Sequence, residues 1–147
     1  MPRPIVFDTS AIILSSRQAA SRPRIATLSR GRRSLLPSIV VGELFAGTRS
    51  REEADSLERF VAHFVREGLV LVPDFADWKL AGQLIARRSR LVGELGPRDH
   101  RNDVLISIVA ARVGGAIYTA NPRHLSVWTE MPRSSGLDAV VTPLTVS

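Results

Sequence analysis

The chain of 147 residues contains no cysteine, which excludes disulfide bonds, thiolate metal sites and a cysteine nucleophile. Lys79 is its single lysine, so arginine carries nearly all of the positive charge. No segment reaches the roughly 20 apolar residues that a membrane-spanning helix needs. The first apolar run is interrupted by Asp8 and lacks the cleavage-site pattern of a signal peptide. We therefore expect a soluble, cytoplasmic protein.

The composition is that of an ordinary globular domain with a basic surface. Hydrophobic residues make up 44% of the chain and charged residues 23%, which argues against wholesale disorder. No internal repeat or linker divides the sequence, so residues 1–147 are predicted to form a single domain. The formal net charge is +6. Because the arginine guanidinium suits phosphate and carboxylate recognition, a nucleic acid or an acidic protein is a plausible partner.

Short apolar runs alternate with segments of helical periodicity. Strands are predicted at Ile5–Phe7, Leu35–Leu36, Leu69–Val72, Ala116–Thr119 and, as an edge strand, Leu137–Val141. Helices are predicted from Ala11 onward, around Ile25–Leu28, after a Ser38 cap, over Arg51–Glu67, from Asp74 or Asp77 to Leu91, and over Asn102–Val113. Such alternation predicts an α/β fold with a mostly parallel central sheet and helices on both faces, in three α/β/α layers.

Three carboxylates occupy the positions where this fold places its ligands. Asp8 follows the first strand, Glu43 lies in the first turns of a helix, and Asp103 opens another predicted helix. Ligands of open α/β sheets bind just beyond the carboxyl ends of the strands. Clustered carboxylates repel each other unless a divalent cation neutralises them. The trio therefore predicts a site for Mg²⁺ or Mn²⁺, which prefer oxygen ligands and can activate a phosphodiester and a water.

Each of these residues also has an ordinary structural role open to it. Asp8 and Asp103 suit the N-caps of the helices that follow them. Glu43 alone is typical of a solvated helix position, although its neighbours Leu44 and Phe45 are apolar. The joint arrangement of the three residues, rather than any one of them, favours a metal-dependent phosphodiesterase.

Four segments of the sequence, taken in order, form a pattern. The first two are Val6-Phe7-Asp8-Thr9-Ser10 and Pro37-Ser38-Ile39-Val40-Val41-Gly42-Glu43-Leu44. The other two are Asn102-Asp103-Val104-Leu105-Ile106-Ser107-Ile108-Val109-Ala110 and Tyr118-Thr119-Ala120-Asn121-Pro122-Arg123-His124-Leu125. Each motif alone is weak, but four in this order cover nearly the whole chain. In this pattern the sequence resembles the PIN-domain ribonucleases, and among them the VapC-type toxins of toxin–antitoxin pairs.

The resemblance implies a PIN-like three-layer fold and an endoribonuclease toxin that is dependent on Mg²⁺ or Mn²⁺. Such an enzyme hydrolyses RNA with a metal-activated water, leaving a 5′-phosphate and a 3′-hydroxyl, and a homodimer is neutralised by a cognate antitoxin. Carried over to this chain, the resemblance assigns catalytic roles to Asp8, Glu43, Asp103 and Asn121. The first three would bind metal, whereas Thr9, Ser10 and Thr119 would support an acid or the substrate phosphate.

The chain departs from the family pattern at Asn121, where many relatives carry a carboxylate. An amide keeps an oxygen ligand but loses the charge, which is expected to weaken a second metal. Asp99, four residues before Asp103, is the candidate extra acid. Arg98, Arg101 and Arg123 lie near the acidic motifs and are weak candidates for RNA binding, and His124 is expected to be structural.

Two further expectations concern surfaces. Trp78 recurs at helical spacing with Ala81 and Leu84, which favours core or dimer packing over base stacking. The helices over Leu57–Val65 and Leu80–Leu91 are expected to form a groove or a dimer face. In the family an amphipathic antitoxin segment binds in that region.

A non-catalytic PIN-like module that binds RNA or an antitoxin remains the alternative to the enzyme. Asn121 favours this alternative, because one charge of the acidic set is missing. The presence of Asp8, Glu43 and Asp103 opposes it. The spatial clustering of those three carboxylates is therefore the decisive structural question.

Overall fold

The computed structural model describes residues 2–17, 30–133 and 140–143. The strands are β1 (Ile5–Phe7), β2 (Ser34–Pro37), β3 (Val70–Leu71), β4 (Ala116–Thr119) and β5 (Val140–Pro143). The helices are α1 (Thr9–Arg17), α2 (Ser38–Ala46), α3 (Arg51–Arg66), α4 (Phe75–Val92), α5 (Pro97–Arg112) and α6 (Pro122–Arg133). The helix expected around Ile25–Leu28 lies outside the described residues.

The five strands form one sheet in the order β3-β2-β1-β4-β5, and every pairing is parallel. The α/β class and the parallel sheet are therefore confirmed, as is the edge position of the last strand. Strands β1 and β4 are central neighbours, with Phe7 opposite Tyr118. Their carboxyl ends consequently meet at one edge, which brings Asp8 next to the residues that follow Thr119.

The central strands and α5 supply the most deeply buried side chains. Ile5, Val6 and Ile117 have no exposed surface, as expected for strands that are covered on both faces. In α5 the run from Val104 to Ala111 is buried throughout. The fixed position of α5 against the sheet determines where Asp103, one residue before that run, can lie.

Several predicted boundaries are wrong. Helix α5 begins at Pro97, five residues before the predicted start, because Pro97 suits the first helical position. Asp103 therefore lies in the second turn of α5 and is not an N-cap. Helix α2 already includes Ser38, with Pro37 as an N-cap that makes no side-chain hydrogen bond. Strand β3 keeps only two of the four predicted residues.

Helix α6 was not predicted, because the helices expected from the sequence end at Val113. Pro122 is its first residue, again the position where proline is tolerated best. Leu125 and Trp128 are buried on its inner face, so packing stabilises the helix. Among the described residues, no helix has both the length and the apolar content to cross a membrane.

An ion-pair cluster joins the start of α4 to the end of α5. Asp74 caps α4 and forms a reciprocal capping box with Asp77. Of the two helix starts that the sequence allowed, Asp74 and Asp77, the structure therefore has the first. Arg112 Nη2 lies 2.8 Å from Asp74 Oδ2 and 2.8 Å from Asp77 Oδ1. Arg112 lowers the pKa of the Asp74 carboxyl. The Asp77 side chain is only 4% exposed. Its carboxylate is therefore buried, and the Arg112 guanidinium balances its negative charge.

We expect Arg112→Met to lower the thermal stability of the fold. Removing the guanidinium leaves Asp77 buried without its cation, and because Arg112 is partly exposed the cost is about 1 kcal/mol. For a domain of this size that corresponds to a melting temperature lower by roughly 2 to 4 °C. Thermal denaturation followed by circular dichroism measures the effect, and Arg112→Lys should recover part of it. An unchanged melting temperature in Arg112→Met would contradict the structural role.

Candidate functional site

A cleft of about 250 Å³ lies at the carboxyl ends of β1 and β4. Its lining includes Asp8, Glu43, Asp103 and Asn121. These are the four residues to which the family resemblance assigned catalysis, so the structure brings together positions that are far apart in the chain. Thr9, Ser10, Ile13, Ile106, His124 and Leu125 complete the lining.

Asp8 is fixed by hydrogen bonds at the end of β1. Its Oδ1 accepts from the Ala11 backbone amide at 2.9 Å and from the Ser10 hydroxyl at 2.8 Å. The first contact is the capping interaction that the sequence allowed, since Ala11 lies in the first turn of α1. The side chain is nevertheless 7% exposed and lines the cleft. Asp8 thus caps α1 and also presents a carboxylate to the site.

Ser10 and Thr119 tie the ends of β1 and β4 together. Their hydroxyl oxygens are 3.1 Å apart, and the Thr119 side chain is a further hydrogen-bond partner of Asp8. The backbone N–H of Ala120 donates a hydrogen bond to Ser10 Oγ, and the backbone N–H of Asn121 donates one to Thr119 Oγ1. Thr119 is fully buried and is not part of the lining. It therefore positions Asp8 and Asn121, whereas the predicted contact with a substrate phosphate is open to Ser10 and Thr9.

Thr9 connects α1 to α2 through Glu43. The Thr9 hydroxyl donates a hydrogen bond of 2.8 Å to Glu43 Oε1. Glu43 lies in the middle of α2, is partly buried and lines the cleft. It is therefore not an ordinary solvated helix residue. The contact orients one carboxylate oxygen, so the other remains available to a ligand.

The electrostatics of the cleft favour a cation. Burial raises the pKa of Asp8, and the negative charge of Glu43 raises it further. Burial also raises the pKa of Asp103, with additional contributions from the charges of Glu43 and Asp8. His124 and His100 act in the opposite direction on Asp103. The carboxylates therefore repel each other through space, and a bound cation would relieve that repulsion.

The donor set fits Mg²⁺ or Mn²⁺ better than a softer metal. Three carboxylates and one carboxamide offer only oxygen ligands, and Mg²⁺ is commonly held by one or two carboxylates with several waters. Among the described residues, no three or more His, Cys, Asp and Glu side chains are placed so that they could together hold a metal ion. A metal ion in this cleft would therefore have fewer than three of these side chains as ligands in the described arrangement, and waters would complete its coordination.

The structure places the remaining candidates outside this cleft. Asp99 is exposed in the first turn of α5, and its Oδ2 is 2.9 Å from where a Cβ on Gly96 would lie. Arg98, Arg101 and Arg123 are also exposed and do not line the cleft. His124, expected to be structural, lines it. The sequence analysis missed the position of His124 because it did not predict helix α6, which carries His124 to the same cleft as Asp103.

Comparison with known proteins supports the fold. No protein-family model and no curated protein matches the sequence. Among solved structures, a chain of FitAB bound to an IR36 DNA fragment matches with a TM-score of 0.66 and 16% identity, covering 97% of each chain. A chain of DNA-bound VapBC from Salmonella typhimurium matches with a TM-score of 0.61 and 21% identity, covering 95% of this chain and 98% of that one.

A third match is a chain of VapBC2 from Rickettsia felis bound to a promoter DNA fragment, with a TM-score of 0.59 and 16% identity. It covers 94% of this chain and 98% of that one. At these identities the similarity establishes the fold. The resemblance drawn from the four motifs is thus confirmed in its architecture, and the chain has the PIN-like α/β fold of chains from VapBC and FitAB complexes.

Proposed function

We propose that the protein is a Mg²⁺- or Mn²⁺-dependent endoribonuclease toxin of the VapC type, neutralised by a cognate antitoxin. The observation that carries the proposal is the convergence of Asp8, Glu43, Asp103 and Asn121 in one cleft of a PIN-like fold. The motifs and the family resemblance selected these residues, and their placement in one cleft supports the proposal. The matches to VapBC and FitAB chains agree with a toxin but do not bear on its chemistry.

The cleft residues divide into ligands and positioning groups. Asp8 and Asp103 would hold the metal ion directly, and Glu43, held by Thr9, would bind it or one of its waters. A bound divalent ion supplies charge to polarise the phosphodiester and lowers the pKa of a water. Ser10 and Thr119 fix Asp8, and the Asn121 amide offers a neutral oxygen to the same space. His124 tempers the negative charge around Asp103.

An RNA substrate fits the charge of the whole chain. Arginines supply nearly all of the positive charge behind the net charge of +6. Arg98 and Arg101 are exposed on α5, and Arg123 is exposed on α6. The same two helices contribute Asp103 and His124 to the acidic cleft. Phosphate contacts of this kind release counterions, so RNA binding should weaken as salt increases. The arginines would contribute to encounter and affinity, whereas the acidic cleft carries the chemistry.

We place the antitoxin in a groove other than the one expected over Leu57–Val65 and Leu80–Leu91. The helices that carry those two segments, α3 and α4, pack chiefly against α2 and α5, respectively. A groove of about 680 Å³ instead lies between α1, α2 and α3. Its apolar lining includes Ile12, Leu57 and Phe60, and Glu43, Glu52 and Glu53 make it acidic. An acidic groove in a basic protein fits a cationic amphipathic segment better than RNA.

A homodimer is part of the same proposal. Several large apolar side chains are at least half exposed in the single chain, namely Val65, Val72, Phe75, Leu91 and Val92. Exposed apolar surface of this kind commonly marks protein interfaces. The mass of the purified protein by light scattering after gel filtration tests this part of the proposal, and a monomer at all concentrations would contradict it.

A second candidate function is a module that binds RNA or an antitoxin without cutting. Two observations favour it. Residue 121 is an amide rather than a carboxylate, and among the described side chains no three His, Cys, Asp or Glu residues are placed to hold a metal ion. Cleavage of an end-labelled structured RNA in Mn²⁺ or Mg²⁺, compared with EDTA, separates the two functions. Metal-dependent cutting supports the nuclease. Binding without cutting, across a panel of RNAs and without antitoxin, supports the module.

Asn121→Asp should increase the affinity of the site for the metal ion. A fourth carboxylate in the cleft adds a charged oxygen ligand, so half-maximal cleavage should need about tenfold less Mn²⁺. The metal titration of cleavage rates measures this change. Asn121→Ala is the matched control and should need more metal than wild type. A titration curve that Asn121→Asp does not shift would place residue 121 outside the metal-binding set.

A further inference from the structure

Glu43 lines a second cleft in addition to the acidic one. This cleft has a volume of about 500 Å³ and is formed by α2, the segment after β3, the start of α4 and α5. Trp78, Asn102 and Leu105 are among its walls, with Ser38 and Gly42 on the side of α2. Its size is within the range of small-molecule sites, and its mainly apolar walls with a few polar groups are typical of them.

Trp78 is the large aromatic side chain of this cleft. It is 49% exposed, so of the two positions expected from its spacing, core or dimer packing, the core position is wrong. The guanidinium carbon of Arg101 lies 5.7 Å from the centroid of the Trp78 ring. The two form a cation–π pair at the surface. An exposed indole beside an arginine is the combination that proteins use to stack an unpaired base and to hold the phosphate next to it.

Asn102 adds a group suited to the edge of a base. Its side chain is partly exposed, lines the cleft and follows Arg101 directly in α5. A carboxamide both donates and accepts hydrogen bonds, as base edges do. The cleft thus combines a stacking face, a cation and an amide.

We propose that this cleft, which we call the Trp78 cleft, binds one unpaired base of an RNA strand whose neighbouring phosphodiester enters the acidic cleft. The proposal rests on the nuclease function above. Glu43 lines both clefts, so a nucleotide bound at Trp78 is adjacent to the catalytic carboxylates. A neutral base can lie next to the Glu43 carboxylate without charge repulsion, whereas the phosphates stay with Arg101 and the metal.

A second copy of the chain is the competing occupant, because Val72, in the wall of the cleft, is 66% exposed and Phe75, on the same helix as Trp78, is 83% exposed. The cleft carries Asn102 in its wall and the Arg101 guanidinium beside Trp78. A base with its phosphate gives both groups a partner, whereas an apolar patch of a second copy gives neither one. The observations therefore favour the base.

The test is RNA binding by full-length protein in EDTA, where no metal-dependent cutting interferes. A short single-stranded RNA is compared with an abasic oligonucleotide of equal length and charge. The RNA should quench the fluorescence of Trp78, since Trp128 is buried at 3% exposure, and the abasic strand should not. Trp78→Ala should bind the RNA about tenfold more weakly, with no change for the abasic strand. Trp78→Phe should retain most of the affinity.

Phe75→Ala is the variant that separates the base from the dimer, because Phe75 is among the side chains assigned above to the homodimer and lies on the same helix as Trp78 but outside the cleft. It should bind RNA as wild type does, whether or not the dimer is weakened. Equal RNA affinity in Trp78→Ala and wild type overturns the base site. Dissociation of a dimer by both alanine variants, with parallel losses of binding, also overturns it in favour of a second copy. Wild-type cleavage that is abolished by Asp8→Asn but unaffected by Trp78→Ala leaves the nuclease intact and refutes only the base site.

Discussion

Asp103→Asn will reduce metal-dependent RNA cleavage by more than about 100-fold while leaving the protein folded. The residue lines the acidic cleft and lies next to the buried segment of α5. Asparagine has nearly the same shape, so the packing of α5 is preserved. The substitution removes one of the charges that would hold the cation. Asp8→Asn should have an effect of the same order.

The same substitution should stabilise the protein when no metal is present. The pKa of Asp103 is raised by burial and by the charges of Glu43 and Asp8, which means that its ionised form is strained at neutral pH. An amide at this position removes the strain. In EDTA the melting temperature of Asp103→Asn should therefore equal or exceed that of wild type. Lost activity with a retained melting temperature excludes misfolding as the cause.

Asp99→Asn is the matched control for this experiment. Asp99 lies one helical turn before Asp103, also in α5, but it is exposed beside Gly96 and outside the cleft. Its replacement should leave the rate within about twofold of wild type, the range expected for a surface position. Equal losses in both variants, or full activity in Asp103→Asn, would refute the assignment of the acidic cleft.

The sequence was sufficient to predict the central sheet. The runs Ile5–Phe7 and Ala116–Thr119 are short and apolar, and polar residues follow them. Such runs predict strands that are buried on both faces of a sheet. The convergence of Asp8 and Asn121 depends on β1 and β4 being neighbours in the sheet, and the sequence did not predict this strand order. Asn121 was selected through the family resemblance instead.

Helix boundaries and side-chain exposure could not be predicted in the same way. The start of α5 at Pro97 depends on a preference of proline that competes with its helix-breaking effect. Helix α6 depends on tertiary packing of Leu125 and Trp128, which no local pattern reveals. Trp78 has the spacing of a core residue, yet α4 presents it at the surface. Periodicity identifies a face of a helix, but not whether another element covers that face.

Binding of Mn²⁺ should raise the melting temperature of the wild-type protein by about 5 to 10 °C at a concentration near 100 times its dissociation constant. The ion binds the folded cleft and not the unfolded chain, in which Asp8, Glu43 and Asp103 are separated. Asp103→Asn should lose most of this shift, and Asp99→Asn should retain it. A full shift in Asp103→Asn would mean that the ion binds elsewhere.

The shift should also depend on pH in a direction that the raised pKa values determine. In the folded, metal-free protein the carboxyls of Asp8 and Asp103 have pKa values above their ordinary value of 3.8. The folded state therefore holds these protons more tightly than the unfolded state. Their contribution to stability is present at low pH and is lost as the pH rises from about 4 through the raised values. Mn²⁺ needs the ionised carboxylates, so its stabilisation must grow over the same interval. Melting curves with Mn²⁺ and with EDTA should coincide near pH 4 and separate towards pH 7. A separation that is independent of pH would show that the ion does not bind these carboxylates.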